Sequence, residues 1–178
     1  MEQTRSYRPL RLSLYLNYFV HGIGVLILAQ NMDALAARWG SLADVMSVIG
    51  MLGIGRLIVL FVSGKLSDKY GRKPFVLLGM ITYIAFFLGI LVSPTTAVAC
   101  GFGILAGIAN SFLDAGTYPA LIESYPESAS TVTVLLKAFI SAGQFLLPLF
   151  IGVLVMMNAW YGWSFIVAAV ILALHFVI

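Results

Sequence analysis

The carboxylates of Asp33 and Asp114 and the imidazole of His21 stand within or at the ends of long apolar runs of this chain. A charge facing hydrocarbon is penalised by several kcal/mol, roughly 2.5–3.5 near the centre of a bilayer, so each carboxylate must find a partner, face a polar interior or hold a proton. The chemistry open to such groups is reversible proton binding or recognition of a polar solute. Asp114 lies on a stripe at helical spacing, Gly103, Gly107, Asn110, Asp114 and Thr117, and the next run repeats the pattern with Lys137, Ser141, Gln144, Pro148 and Gly152. Two striped helices adjacent in the chain imply protein-facing or water-facing surfaces on both. Asn110 and Gln144 can bond the hydroxyls of a solute, and amides also join helices without any ligand. Lys137 either snorkels to the interface or reaches inward, and His21 is either a proton relay or a hydrogen-bonded packing residue. Asn17, His21, Gly24 and Asn31 share one broad helix face. Asp33 falls nearly opposite, so it sits at an outer mouth, or the helix unwinds near Asn31 and turns it inward.

A second cluster has a different character. The stretch GKLSDKYGRKP, residues 64–74, concentrates charge between two apolar runs. Gly64 and Gly71 suit a tight reversal, Asp68 can accept from helix-terminal amides or a neighbouring base, and Lys69, Arg72 and Lys73 can anchor to anionic lipid. Pro74 suits the first turn of the helix that follows. A loop that only set topology would need the bases but not the acid between them.

The elements that must position these groups are apolar runs at about 12–36, 42–63, 75–92, 96–119, 132–157 and 160–178. Each is about as long as a helix needs to cross roughly 30 Å of hydrocarbon at about 1.5 Å per residue. With 61% apolar and 10% charged residues, the chain reads as an all-α membrane protein, because lipid cannot satisfy an open sheet edge. The first run lacks a convincing cleavage pattern and reads as a retained span. The last stops at Ile178 without a charged flank, so the sixth span reads as cut short. Arg5, Arg8, Arg11, Lys65, Lys69, Arg72 and Lys73 fall on one side of a six-span topology, and Arg38 on the other. This bias predicts a multi-pass protein of the cell membrane with its amino terminus in the cytoplasm. The lone Cys100 excludes a disulfide framework, and two distant histidines do not make a metal site. Clustering of the bases beside apolar spans argues against nucleic acid, no nucleophile–base arrangement suggests an enzyme, and nothing calls for a cofactor.

The sequence GKLSDKYGRK between the second and third spans resembles the signature loop of the major facilitator superfamily, matching it at Gly64, Leu66, Asp68, Lys69, Gly71, Arg72 and Lys73. The resemblance implies one amino-terminal six-helix half of an alternating-access transporter, built as a 3+3 inverted repeat. It also implies a cytoplasmic latch around Asp68 and Arg72, with Arg56 and Glu123 as ionic neighbours. HGIGVLILAQN (21–31) and CGFGILAGIAN (100–110) align at one constant offset, as internally repeated units would. NSFLDAGTYPAL, followed by LLKAFISAGQFLLPLF, is similar to the fucose and sugar permease branch, which implies proton-coupling or sugar-binding roles for Asp33 and Asp114. The expected partners are a carboxy-terminal half or a second copy, the lipid membrane, a small polar solute and protons. The alternatives are a six-helix assembly module and half of a drug or organic-cation exporter.

Overall fold

The computed structural model describes residues 8–176. Arg5 and the side chains of Arg8 and Arg11 lie outside the described residues, as does the end of the chain at Ile178. The described part is all-α: α1 (Arg8–Gln30), α2 (Met32–Trp39), α3 (Leu42–Tyr70), α4 (Arg72–Val92), α5 (Thr96–Ser124), a 3-10 turn (Pro126–Ser128), α6 (Ala129–Met156) and α7 (Trp163–Phe176). Five helices are long and apolar enough to cross a membrane, and α7 is a shorter apolar helix. Every backbone group inside such a helix bonds within its own segment, which is why hydrocarbon-rich sequence takes this form.

Three expectations are corrected by the fold. The first run does not stop at residue 36: it breaks at Asn31 and resumes as α2 up to Trp39. Gly64 makes no reversal. From Leu42 to Tyr70 the chain is one helix, so most of the charged stretch is helical, and only Gly71 turns, at φ 91°. Nothing between Gly64 and Gly71 breaks a helix, and Ser63 and Ser67 tie that part of α3 to α5 by donating to the carbonyls of Ser111 (3.4 Å) and Ala115 (2.7 Å). The last helix begins at Trp163, after turns that include Asn158 in the left-handed region at φ 50°. Ser41 and Thr95 cap α3 and α5 by accepting from the amides of Asp44 and Val98.

The principal packing pairs are α3 on α5, α4 on α5, α1 on α6 and α4 on α7. Two close approaches hold the bundle together. Gly22 of α1 lies against the carbonyl of Ile140, and Gly143 of α6 against that of Phe19; Gly107 of α5 lies against the carbonyl of Leu52, and Gly55 of α3 against that of Ile104. A methyl group at any of the four would collide with backbone. The sequence alignment pairs Gly22 with Gly101, but Gly101 meets nothing, and Gly107 plays the part of Gly22. Glycine-rich helices align by composition in several registers, and only contact selects one. The core fills with Tyr18, Tyr83, Phe86, Phe87 and Phe165, all buried, while α3 and α6 are the least covered of the long helices.

Candidate functional site

Asp114 is held from two sides. Arg56 of α3 donates through Nη2 to Asp114 Oδ2 at 2.8 Å, and the Tyr18 hydroxyl of α1 donates to Asp114 Oδ1 at 2.6 Å. One carboxylate thus joins three helices. The pair remains partly open, with side-chain exposures of 46% for Arg56 and 19% for Asp114. The α3–α5 close approach brings Arg56 to Asp114: Gly107 meets the backbone amide of Arg56, and Ser111 Oγ donates to the Arg56 carbonyl at 3.0 Å. Arg56 therefore stands with Asp114 and not with the charged turn, which corrects its expected place beside Asp68 and Arg72.

Behind this pair lies a buried polar group. His21 stacks on Tyr18 with centroids 5.1 Å apart and meets Tyr83 edge-on, its Nδ1 3.5 Å from the Tyr83 hydroxyl. Tyr83 in turn donates to Asn110 Oδ1. His21 and Asn110 are both buried, so they support the site from behind and do not line its open side. Thr117 is buried as well, and Gly103 packs on the Val48 carbonyl of α3. The fourth-run stripe thus divides between helix packing and the Asp114 cluster.

The remaining candidates separate from this centre. Asn31 is buried and donates to the Ile27 carbonyl at 2.8 Å and to Ser164 Oγ at 3.1 Å, stitching the α1–α2 break to α7. Asp33 is exposed in the first turn of α2, so the break does not turn it into the bundle. Gln144 is half-buried and Lys137 exposed, both on an edge of α6 with Ser141 and Pro148 that the other described helices leave uncovered.

A second ionic cluster caps the other end of α3. Arg72 donates through Nη1 to Asp68 Oδ1 at 2.5 Å and through Nη2 to Glu123 Oε1 at 2.7 Å, with a further bond to Ser67 Oγ at 3.1 Å. The end of α3, the start of α4 and the end of α5 therefore meet at one guanidinium, whose planar fork suits two carboxylates at once. Glu123 belongs to the last turn of α5, not to a loop. Lys73 is exposed, Gly71 supplies the turn, and Lys69 lies over the Tyr70 ring at 5.1 Å. Among the described residues no group of acids, histidines and cysteines could hold a metal ion.

Tyr18 is the member of the Asp114 cluster that sequence reasoning missed. Its signal was present: Tyr18 lies three residues before His21, on the same helical face, in a stretch where only the polar neighbours were weighed. Its bond to Asp114 spans helices distant in sequence, which no spacing within one run reveals.

A model of the Major Facilitator Superfamily matches residues 14–178. The chain is 54% identical over 170 residues to the inner membrane transport protein YdiM of Escherichia coli, covering 95% of the chain and 42% of that relative. It is 42% identical over 165 residues to the MFS-type transporter YfkL of Bacillus subtilis, covering 92% of the chain and 42% of the relative. It is 30% identical over 116 residues to the multidrug transporter MdfA of Edwardsiella ictaluri, covering 65% of the chain and 28% of the relative. The chain spans about two fifths of the length of the first two relatives. No solved structure matches it significantly. The family and these relatives are transport proteins, not enzymes. With its long apolar helices and a signature stretch folded around Arg72, this multi-pass membrane chain belongs to the major facilitator superfamily.

Proposed function

We propose that this chain forms one half of an alternating-access secondary transporter for a small polar solute, its amino terminus in the cytoplasm, and that protonation of Asp114 drives the exchange between states. The observation that carries this reading is the Arg56–Asp114–Tyr18 cluster, an ion pair tying α3, α5 and α1 together inside the apolar spans. A proton on Asp114 removes its Coulomb attraction to Arg56 and loosens α3 from α5. It can drive transport only if the two states bind it differently. The Asp68–Arg72–Glu123 contact acts as the cytoplasmic latch, because rocking of α3 against α5 must stretch or release it.

The six-helix 3+3 repeat is part of this reading. Exchanging α1 with α5, α3 with α6 and α4 with α7 carries α1 on α6 onto α5 on α3, with the glycine approaches matched, and α4 on α7 onto itself, while α4 on α5 finds only a weaker counterpart in α7 on α1. Such repeats form the halves of rocking transporters. The poorly covered faces of α3 and α6 would meet the carboxy-terminal half. Of the two amides read as hydroxyl partners, Asn110 is engaged inside the bundle, as is Asn31, and Gln144 remains to bind a hydroxyl. Asp33, exposed on α2, serves the outer interface.

Self-association of two copies through the same faces is the second reading, favoured by Gly50, Gly53 and Gly152, which have open space around them. Similarity to multidrug transporters over part of the chain supports a drug-exporting half as a third. Uptake into proteoliposomes under an imposed pH gradient, by a full-length transporter carrying this half, tests the leading reading. Asp114→Asn should abolish gradient-driven uptake and Asp33→Asn should retain at least about half of it; unchanged uptake by Asp114→Asn would overturn the proton role.

A further inference from the structure

The side chains on the open face of the bundle carry an unequal charge. Arg56 uses Nη2 on Asp114, while its Nε and Nη1 have no hydrogen-bond partner among the described residues, and nearly half of its side chain is exposed. Asp114, the carboxylate at that depth among the described residues, already receives Arg56 and Tyr18. Lys137 has no ionic partner among the described residues and is exposed. It lies about 12 Å along α6 from Ala129 at 1.5 Å per residue, well inside the span.

Arg56 and Lys137 face the same space. Arg56 follows Gly55, which abuts the Ile104 backbone of α5; Gln144 follows Gly143, which abuts the Phe19 backbone of α1. The two residues thus hold matching places on the two flanking helices, and Lys137 lies two turns from Gln144 on the same edge. The opposite edge of α6, with Leu146 and Phe150, closes an apolar pocket against Phe19, Ser164 and Ala168 at the rear, where α7 packs on α4. The edge bearing Lys137, Ser141 and Gln144 therefore looks to the front, where the Arg56–Asp114 pair is open.

We propose that this half selects a small organic anion, a carboxylate received by the free side of Arg56 and by Lys137, with Gln144 bonding its polar substituents. The inference rests on the transporter reading but not on its proton step. With Arg56 and Lys137 positive and Asp114 negative, the site keeps a net positive charge, so an anion is attracted, a cation is repelled, and a neutral solute gains neither effect.

The test is calorimetric titration of the chain in nanodiscs of zwitterionic lipid with benzoate, and with benzamide and benzylamine as neutral and cationic probes of similar shape. Benzoate should bind and the other two should not, with affinity falling severalfold as salt is raised from about 0.05 to 0.5 M. Lys137→Gln should weaken benzoate about tenfold and Lys137→Arg should restore it. Asp114→Asn releases Arg56 and should strengthen benzoate severalfold even while it abolishes gradient-driven uptake. That separates the two proposals: weakened benzoate sinks the anion site alone, and unchanged uptake sinks the proton role alone. Arg56→Gln alone strands Asp114 and threatens the fold, so Arg56→Gln is paired with Asp114→Asn, and that double variant should lose benzoate. Equal binding of benzylamine or benzamide, or no benzoate binding by a chain whose cooperative melting shows it folded, overturns the proposal.

Discussion

Asp114 accepts from a cation and from a hydroxyl, and the two bonds do different work. Arg56 neutralises the carboxylate, so its removal leaves a partly buried charge without its counter-ion. Tyr18 supplies one neutral donor while its ring, stacked on His21, fixes α1 against α5. Tyr18→Phe keeps the ring and removes the donor. A hydrogen bond to a charged group contributes about 1.5–3 kcal/mol, so this variant should unfold more easily by that amount in detergent while retaining its fold. A loss below about 0.5 kcal/mol in denaturant melts would show that the hydroxyl does not hold Asp114. At the other cluster, the latch proposal predicts that Arg72→Gln slows transport by about tenfold or more in a full-length transporter carrying this half while leaving solute affinity nearly unchanged, since the Arg72 cluster lies apart from the Arg56–Asp114 pair. A comparable rise in the dissociation constant would argue against a latch.

The helices meet through glycines at a few places, and these decide their register. Gly107→Ala must displace the Leu52 carbonyl and the amide of Arg56, and Gly22→Ala the carbonyl of Ile140. Overpacking of this kind destabilises by about 1–3 kcal/mol, and Gly107→Ala should also disturb the Arg56–Asp114 pair because it moves Arg56 itself. Gly50→Ala and Gly152→Ala meet open space and should stay within about 0.5 kcal/mol of the parent chain in thermal melts. Gly71 is a separate case: its φ of 91° lies where side chains are strained, so Gly71→Ala should destabilise by about 1–3 kcal/mol without any collision.

At the scale of the whole chain, topology and partnership are the claims to test. Cysteines placed at Lys69 and Ala43, at opposite ends of α3, in a Cys100→Ser background, should label from opposite sides of the membrane, Lys69→Cys only from the cytoplasm. Labelling of Lys69→Cys in intact cells would reverse the orientation. The uncovered faces of α3 and α6 carry Leu57, Ile58, Phe61, Val134 and Phe145 beside Arg56 and Lys137, and on the transporter reading their apolar parts are covered by lipid or by a carboxy-terminal half. Crosslinking through Gly53→Cys should trap a carboxy-terminal half when one is supplied; trapping only a second copy would favour self-association.

How much of this was legible beforehand follows from the range of each force. Length and hydropathy of a run are local, and they marked the helical class and the long spans; the charged stretch around Arg72 was legible from its residue pattern, and of the two glycines expected to turn there only Gly71 does. Asp114 stood out because an isolated carboxylate among apolar residues must be compensated somewhere. Its compensators were not legible. Arg56 and Tyr18 come from other helices, and the register that delivers them is chosen by glycine–backbone contacts, which many alignments of small residues could satisfy equally well. Sequence by itself therefore determined that long apolar helices form and which side chains could not stay alone among them, because both depend on transfer from water. Tertiary structure alone decided that Arg56 serves Asp114 and not Asp68, that Asn31 and Asn110 turn inward, and that Lys137 stays open, because those outcomes depend on which helix faces lie against one another.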